Sequence, residues 1–381
     1  MRGLAEAIRQ VPDLELGIAF FCKHGGEPVS VGNVTWIPMR RPGGLPRRIV
    51  RALRPSSADR TDCSLCRSVV SGFRPDLIHV FGTEQMFGLL SGILETPVVI
   101  HLQGLMGPYM NAWVPPFHTF ADYVRRGHTN PLRIAMGALA LSLNRHAARR
   151  ELEIMRCGSV FLGRTAWDRT YVSLYAPQAV YYHCEEALRS EFFRPVVRKP
   201  PASPVFVSTL SSPLYKGHDV VLKTANVLCE TGHGGFEWRV FGVSSLRFAE
   251  KKTGICADDV HVRACGHVSG ERLRSELLGC TALVHPSYVD NSPNSICEAQ
   301  VLGVPCIAAN VGGVASIVAD GKTGYLVPAN DPLMTARCMI GIASGRMRLP
   351  DDWTTGPRAR NDPAKVADRV LEIYRTALSR K

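Results

Sequence analysis

What this 381-residue chain lacks excludes several classes of protein at once. No apolar run reaches the roughly 18 residues of a membrane span, so nothing in it reads as a bilayer-crossing helix. The opening MRGLAEAIRQVPD is charged and has no continuous apolar stretch, so it does not read as a secretory signal. Twelve cysteines are present, but only Cys63 and Cys66 form a Cys-x-x-Cys pair, and no second pair stands at zinc spacing. The others are scattered singly, many inside apolar runs, which fits buried thiols in a reducing cytosol better than a disulfide framework. There is no Asp-x-Asp pair of the kind that holds a cation beside a diphosphate, and no metal or other cofactor is expected. Interleaved aromatics are missing from both basic runs, and no nucleic-acid motif appears, so nucleic acid is the last partner to expect.

What is there describes a globular protein: 45% hydrophobic and 20% charged residues. The length points to two domains. The net charge is +12, with arginines gathered at Arg40, Arg41, Arg47, Arg48, Arg51 and Arg54 and again at Arg145, Arg149 and Arg150. Such faces meet anionic lipid or an anionic substrate, or are simply solvated.

Short apolar runs alternate with helical patterns, the mark of an α/β protein with largely parallel sheets. The first series of strands is expected at 14–20, 34–38, 77–81, 98–102, 159–162 and 180–183. A second follows the proline-rich 194–204, at 205–210, 238–241, 260–264, 282–285, 306–309 and 325–327. Two Rossmann-like halves result: 1–194 and 195–362, with a final helical segment at 363–381 placed to pack back across the junction. The chain opens as helix then strand, without the strand and glycine-rich turn that normally begin a doubly wound domain.

The richest stretch is 283–330, LVHPSYVDNSPNSICEAQVLGVPCIAANVGGVASIVADGKTGYLVPAN. Asp290 stands eight positions before Glu298, and a helix is expected to start between them, capped by Asn291 or Ser292 with Pro293 as its first residue. A helix start offers N–H groups and the positive end of a dipole to a phosphate. Glu298 lies about 7–8 Å along that helix from Pro293, at 1.5 Å per residue. Two ribose hydroxyls would serve this partly buried acid as partners.

These residues resemble the retaining glycosyltransferases of family 4. The resemblance rests on the acid-x7-Glu phrase from Asp290 to Glu298 followed by AQVLGVPCIAANVGG, on DGKTGYLVPANDP at 320–332, and on SPLYKGHDVVLKTANVL at 212–228. It implies a GT-B fold, in which two Rossmann-like domains face each other across a cleft. It further implies transfer of a sugar, with retention, from a UDP- or GDP-sugar to a saccharide or lipid-linked saccharide hydroxyl, without a metal. By position it assigns Lys216 to the donor diphosphate, Glu298 to the ribose and Asp290 to the hydroxyls of the transferred sugar. The amides from Asn291 to Ser295, Ser292 and Asn294 included, would cradle the same groups. His101, in VVIHLQGL, would stand near the anomeric carbon, with His79 and Glu84 lining the cleft. GRTAWDRT at 163–170 and YYHCEEALRSEFF at 181–193 resemble members that build bacterial surface polysaccharide, and make Arg164 an extra phosphate contact.

Three features depart from the family pattern. Asp290 is one methylene shorter than the usual Glu, Ser211 stands where an Arg normally precedes the Lys, and the opening strand and glycine loop are missing. The alternatives are a non-catalytic nucleotide-sugar or glycan-binding partner and, less in keeping with the Asp290–Glu298 phrase, a nucleotide-sugar epimerase. The basic, apolar run from Asn130 to Arg150 reads equally as a cleft-side helix with a solvated basic end or as a surface for an anionic membrane, the latter placing a cytoplasmic protein at the inner face of the cell membrane.

Overall fold

The computed structural model describes residues 2–9, 11–12, 14–41, 49–50, 52–125, 130–195 and 198–379. Arg47, Arg48 and Arg51 of the basic run lie outside the described residues.

The carboxyl-terminal half is one six-stranded parallel sheet made of β8 (Val205–Thr209), β9 (Glu237–Phe241), β10 (Val262–Gly266), β11 (Ala282–His285), β12 (Cys306–Ala309) and β13 (Tyr325–Val327), in the order β10-β9-β8-β11-β12-β13. Counted within this half, the order is 3-2-1-4-5-6, the doubly wound arrangement, and its switch point falls between β8 and β11. Alternation along the strands explains why both faces are buried. Phe206, Val284 and Ile307 join one core with Trp238 and Leu222, while Val207, Leu283 and Cys306 join the other with Ile296 and Phe192.

The amino-terminal half has two sheets. β1 (Leu16–Cys22), β2 (Val29–Val31) and β3 (Val34–Arg40) run in the order β1-β3-β2, with β1 parallel and β2 antiparallel to β3. β4 (Ile78–Phe81), β5 (Val98–His101), β6 (Val160–Gly163) and β7 (Val180–His183) form a parallel sheet in chain order. Among the described residues no strand pairs β1 with β4, and the helix Arg2–Ile8 precedes β1. β1 is accordingly half-exposed along its length, whereas β5 and β6 are fully buried. β2 was not foreseen in the sequence: it is three residues long and all of them are exposed, too short a run to read as a strand.

Two segments tie the halves together. The helix Pro363–Leu378 buries Val366, Val370 and Ile373 against Leu4, Ile8, Val99 and Leu162 of the amino-terminal half. Leu188 and Phe192 pack among the strands of the carboxyl-terminal half. The long helix Pro131–Cys157 starts on an Asn130 cap, with the Asn130 side chain accepting from the Leu132 N–H. It buries Leu141, Ala147, Ile154 and Met155 but leaves Leu132 70% and Met136 61% exposed.

Candidate functional site

The switch point brings two loops together. After β8 the chain makes a turn at Leu214–Lys216 and enters the helix His218–Glu230 through Gly217, at φ 79°. A Cβ on Gly217 would lie 2.3 Å from the Pro286 carbonyl oxygen, so only glycine allows this loop to meet the one after β11. The Tyr288 N–H then donates to the Tyr215 carbonyl at 2.7 Å. The result is a 2.6 Å pair between Lys216 Nζ and Asp290 Oδ2.

The Gly-Gly turn beyond β12 clamps the same loop. The Gly313 N–H donates to the Asp290 carbonyl at 3.1 Å, and a Cβ at Gly312 or Gly313 would lie 2.1 Å or 2.2 Å from the carbonyls of Asp290 and Asn291. The glycines of VGG therefore let this turn approach the backbone of the acid.

Asp290 is 6% exposed. Burial pushes its carboxyl up, but Lys216 together with His285, whose Nε2 lies 3.1 Å from Oδ2, holds it well below the usual carboxylate range. The Tyr109 hydroxyl, from the amino-terminal half, donates to Asp290 Oδ1 at 3.3 Å and accepts the Asn291 N–H at 2.9 Å.

The helix after this loop is Asn294–Val301, and Pro293 precedes it as the cap in extended backbone at ψ 114°. This corrects the sequence expectation of a helix beginning at Pro293 under an Asn291 or Ser292 cap. The Asn291 side chain is fully buried and committed elsewhere: its Oδ1 accepts from Thr165 at 2.7 Å, and its Nδ2 donates to the Gln103 carbonyl at 3.2 Å and to Asp168 at 3.3 Å. Ser292 offers its carbonyl, and Asn294 its Oδ1 at 2.6 Å, to the guanidinium of Arg164. Ser295 is half-buried, and its N–H, like that of Asn294, has no intrahelical acceptor because it lies in the first turn.

Arg164 directly follows β6 and is 4% exposed. It spans the two halves and lies at the helix start, where an anion would bind. Glu298 is 6% exposed, and its Oε1 accepts from Arg189 Nη2 at 2.7 Å and Nε at 3.2 Å. Burial raises its carboxyl and Arg189 only partly offsets this.

His101 closes β5 at the carboxyl edge of its sheet. It is 2% exposed, its ring lies 5.4 Å from that of His79, and burial lowers its pKa to about 4, so the imidazole is neutral at physiological pH. His79 is engaged with the final helix instead of lining a cleft: its Nδ1 lies 2.5 Å from the Tyr374 hydroxyl. Glu84 accepts the Gly104 N–H at 3.1 Å. Cys63 and Cys66 are buried in the helix Pro55–Phe73, where burial pushes their thiols up to about 11 and about 12, so both are inert at neutral pH. No group of three metal-ligating side chains occurs among the described residues.

Tyr109, His285, Arg189 and Glu151 escaped the reading of the sequence. Tyr109 and Arg189 are far in sequence from the acids they meet, and Glu151 is a buried acceptor for the Met106 and Gly107 N–H groups. His285 went unread although it stands five residues before Asp290.

A family profile described as "Glycosyl transferases group 1" matches residues 202–344. A D-inositol 3-phosphate glycosyltransferase of Streptomyces avermitilis is 42% identical over 76 residues, covering 20% of this chain and 16% of the relative. One from Frankia alni is 46% identical over 102 residues, covering 26% of this chain and 25% of the relative. The chain thus aligns with a quarter or less of the length of either relative. Among solved structures, sucrose-phosphate synthase of Thermosynechococcus elongatus superposes with a TM-score of 0.72 at 15% identity, over 100% of this chain and 92% of that one. Anabaena HepE, in complex with UDP-glucose, gives 0.58 at 15% identity over 82% of each chain. At such identities these likenesses speak for the fold alone. The profile thus marks residues 202–344 as similar to the glycosyl transferases group 1, and the superposition over the full length shows that the chain has the two-domain GT-B fold.

Proposed function

We propose that the protein transfers a sugar from a nucleotide-diphosphate sugar to an acceptor hydroxyl with retention at the anomeric carbon. The observation that carries this reading is the pairing of Lys216 with Asp290 at the sheet's switch point, at the start of the helix that bears Glu298. An ammonium has three donors, so Lys216 can keep Asp290 and still face two phosphate oxygens. Together with the first-turn N–H groups it would stabilise the departing diphosphate, placing fixed positive charge where negative charge develops. Glu298 would take the ribose and Asp290 the transferred sugar. His101, neutral and at a strand end, would stand beside the reacting carbon, and Arg164 would hold the helix start under the phosphates.

The complex of Anabaena HepE with UDP-glucose makes UDP-sugars the first donors to try, with GDP-sugars beside them. A panel of both, assayed with saccharide and lipid-linked saccharide acceptors, is expected to give transfer with one donor preferred. Glu298→Ala should weaken UDP binding by about tenfold or more, as loss of a buried charged acceptor does. Transfer that survives both Lys216→Ala and Glu298→Ala unchanged would show that the site lies elsewhere.

A second reading, a nucleotide-sugar-binding partner without turnover, is favoured by Ser211 in place of the family's arginine and by the break between β1 and β4. It predicts UDP-sugar binding with no UDP released by any acceptor in the panel. The acceptor side also suits a cell-surface polysaccharide or glycolipid pathway at an anionic membrane. Exposed Leu132 and Met136 share the first turns of the helix Pro131–Cys157 with Arg133. Flotation with anionic vesicles at low salt checks this, and protein left at the bottom of the gradient removes the membrane from the account.

A further inference from the structure

Asp290 is the shortened acid of the motif, and both of its oxygens are already engaged. Oδ2 faces Lys216 at 2.6 Å and His285 at 3.1 Å, and Oδ1 accepts the Tyr109 hydroxyl at 3.3 Å. Tyr109 is not a loose visitor from the other half. It is 9% exposed, and its ring packs between Trp167, 6.1 Å away, and Tyr215, 5.5 Å away. The short helix that carries it, Met106–Asn111, has its first N–H groups pinned: Glu151 accepts those of Met106 and Gly107, each at 2.8 Å.

The hydrogen-bond inventory of the phenol is nearly full. Its one proton goes to Asp290 and one lone pair receives the Asn291 N–H, which leaves a single acceptor position. A carboxylate shortened by one methylene is drawn back by about 1.5 Å, one C–C bond. The Tyr109 oxygen lies 3.3 Å from its Oδ1.

Resting on the donor-site reading above, we propose that Tyr109 is a specificity-determining residue. Its hydroxyl relays Asp290 to the transferred sugar, accepting from one sugar hydroxyl that a longer acid would otherwise meet directly. The site thereby reads that hydroxyl through two residues supplied by opposite halves of the protein, so the sugar is recognised only when the halves are closed on each other.

The relay has a consequence that simple packing does not. Asp290 and Tyr109 should be exchangeable as a pair and not singly. Asp290→Glu pushes the carboxylate into the phenol and lowers kcat/KM; Tyr109→Phe removes the relay and raises KM for the sugar nucleotide. The expected single losses are about tenfold or more, the usual cost of an unpaired polar group in a recognition site. In Asp290→Glu/Tyr109→Phe the longer acid reaches the sugar itself, and the double variant is expected to outperform both singles.

The test measures UDP affinity, UDP-sugar affinity and kcat/KM for the wild type and the three variants. Monodeoxy analogues of the preferred donor are included. One analogue should bind the wild type poorly yet show no further penalty in Tyr109→Phe. Losses that multiply in the double variant, an Asp290→Glu protein with full activity, or deoxy penalties unaltered by Tyr109→Phe would each overturn the relay while UDP still binds. Failure of the wild type to bind UDP would overturn the donor-site reading itself, and the relay with it. Thermal unfolding of Asp290→Glu, which keeps every native donor, separates crowding at the site from collapse of the fold.

Discussion

Lys216→Ala is expected to lower kcat/KM for transfer by about 10²–10³-fold, the usual cost of removing one fixed charge or donor aimed at a developing anion. That corresponds to about 3–4 kcal/mol of lost transition-state stabilisation. Ser211 brings no second charge to this loop, so in the variant the first-turn N–H groups and Arg164 are what remains. The variant should also change the pH profile in a defined direction. Asp290 is held below the usual carboxylate range because Lys216 and His285 overrule its burial. Without the ammonium the burial remains, the Asp290 pKa rises, and the acid limb of kcat/KM moves to higher pH. Stability follows the same sign. A depressed carboxyl contributes stability above its unfolded pKa near 3.9 and loses it as pH falls below that value. In Lys216→Ala that contribution is already missing at neutral pH. Pre-steady-state assays of UDP release across pH 5–8 and urea unfolding at pH 7 measure both effects. An unshifted acid limb would separate Asp290 from Lys216 and remove the pair from the mechanism.

Glu151→Ala is expected to destabilise the folded protein by about 3–5 kcal/mol, the range for stripping a buried charged acceptor from its partners. Glu151 is completely buried and accepts from Thr83 at 2.5 Å, from the Met106 and Gly107 N–H groups at 2.8 Å each, and from Tyr171 at 3.0 Å. Alanine leaves four donors without an acceptor in a place water does not reach. Glu151→Gln keeps the shape but turns one oxygen into a donor that faces donors, so it should recover only part of the loss. Urea denaturation gives the stability. The functional trace is the donor: with the helix start at Met106 released, Tyr109 is no longer held against Asp290, so KM for the sugar nucleotide rises more than the Kd of UDP. Equal effects on both would show that Glu151 acts on the fold alone.

The two halves were legible in the sequence to different degrees. In the carboxyl-terminal half, strands buried on both faces read as short apolar runs between turn residues, and all six proved to be strands. Gly217 and the pair Gly312–Gly313 lie within the quoted motifs, but only the structure shows the carbonyls that approach them. The helix start was misplaced by one residue, because proline is as acceptable just before a helix as at its first position. In the amino-terminal half β2 went unseen, because an alternation of only three residues, Val29-Ser30-Val31, is too short to read as a strand.

The candidate site divides along the same line. Lys216 and Asp290 lie in loops at the C-terminal edge of one sheet and Glu298 on the helix that follows, inside the short motifs that carry the family resemblance, so short stretches of sequence were enough to propose them. Apart from His285, five residues before Asp290, their partners obey no such short spacing. Tyr109 is 181 residues from Asp290, Arg189 is 109 from Glu298, and Arg164 is 130 from Asn294. The sequence by itself determined the two Rossmann-like halves, because periodicity and turn chemistry act over a few neighbours, and its family resemblance proposed the donor-side residues. Only the tertiary structure decided which side chains neutralise the buried acids. A carboxylate removed from water must find its donors wherever the packing of two sheets brings them, and no local pattern records that meeting.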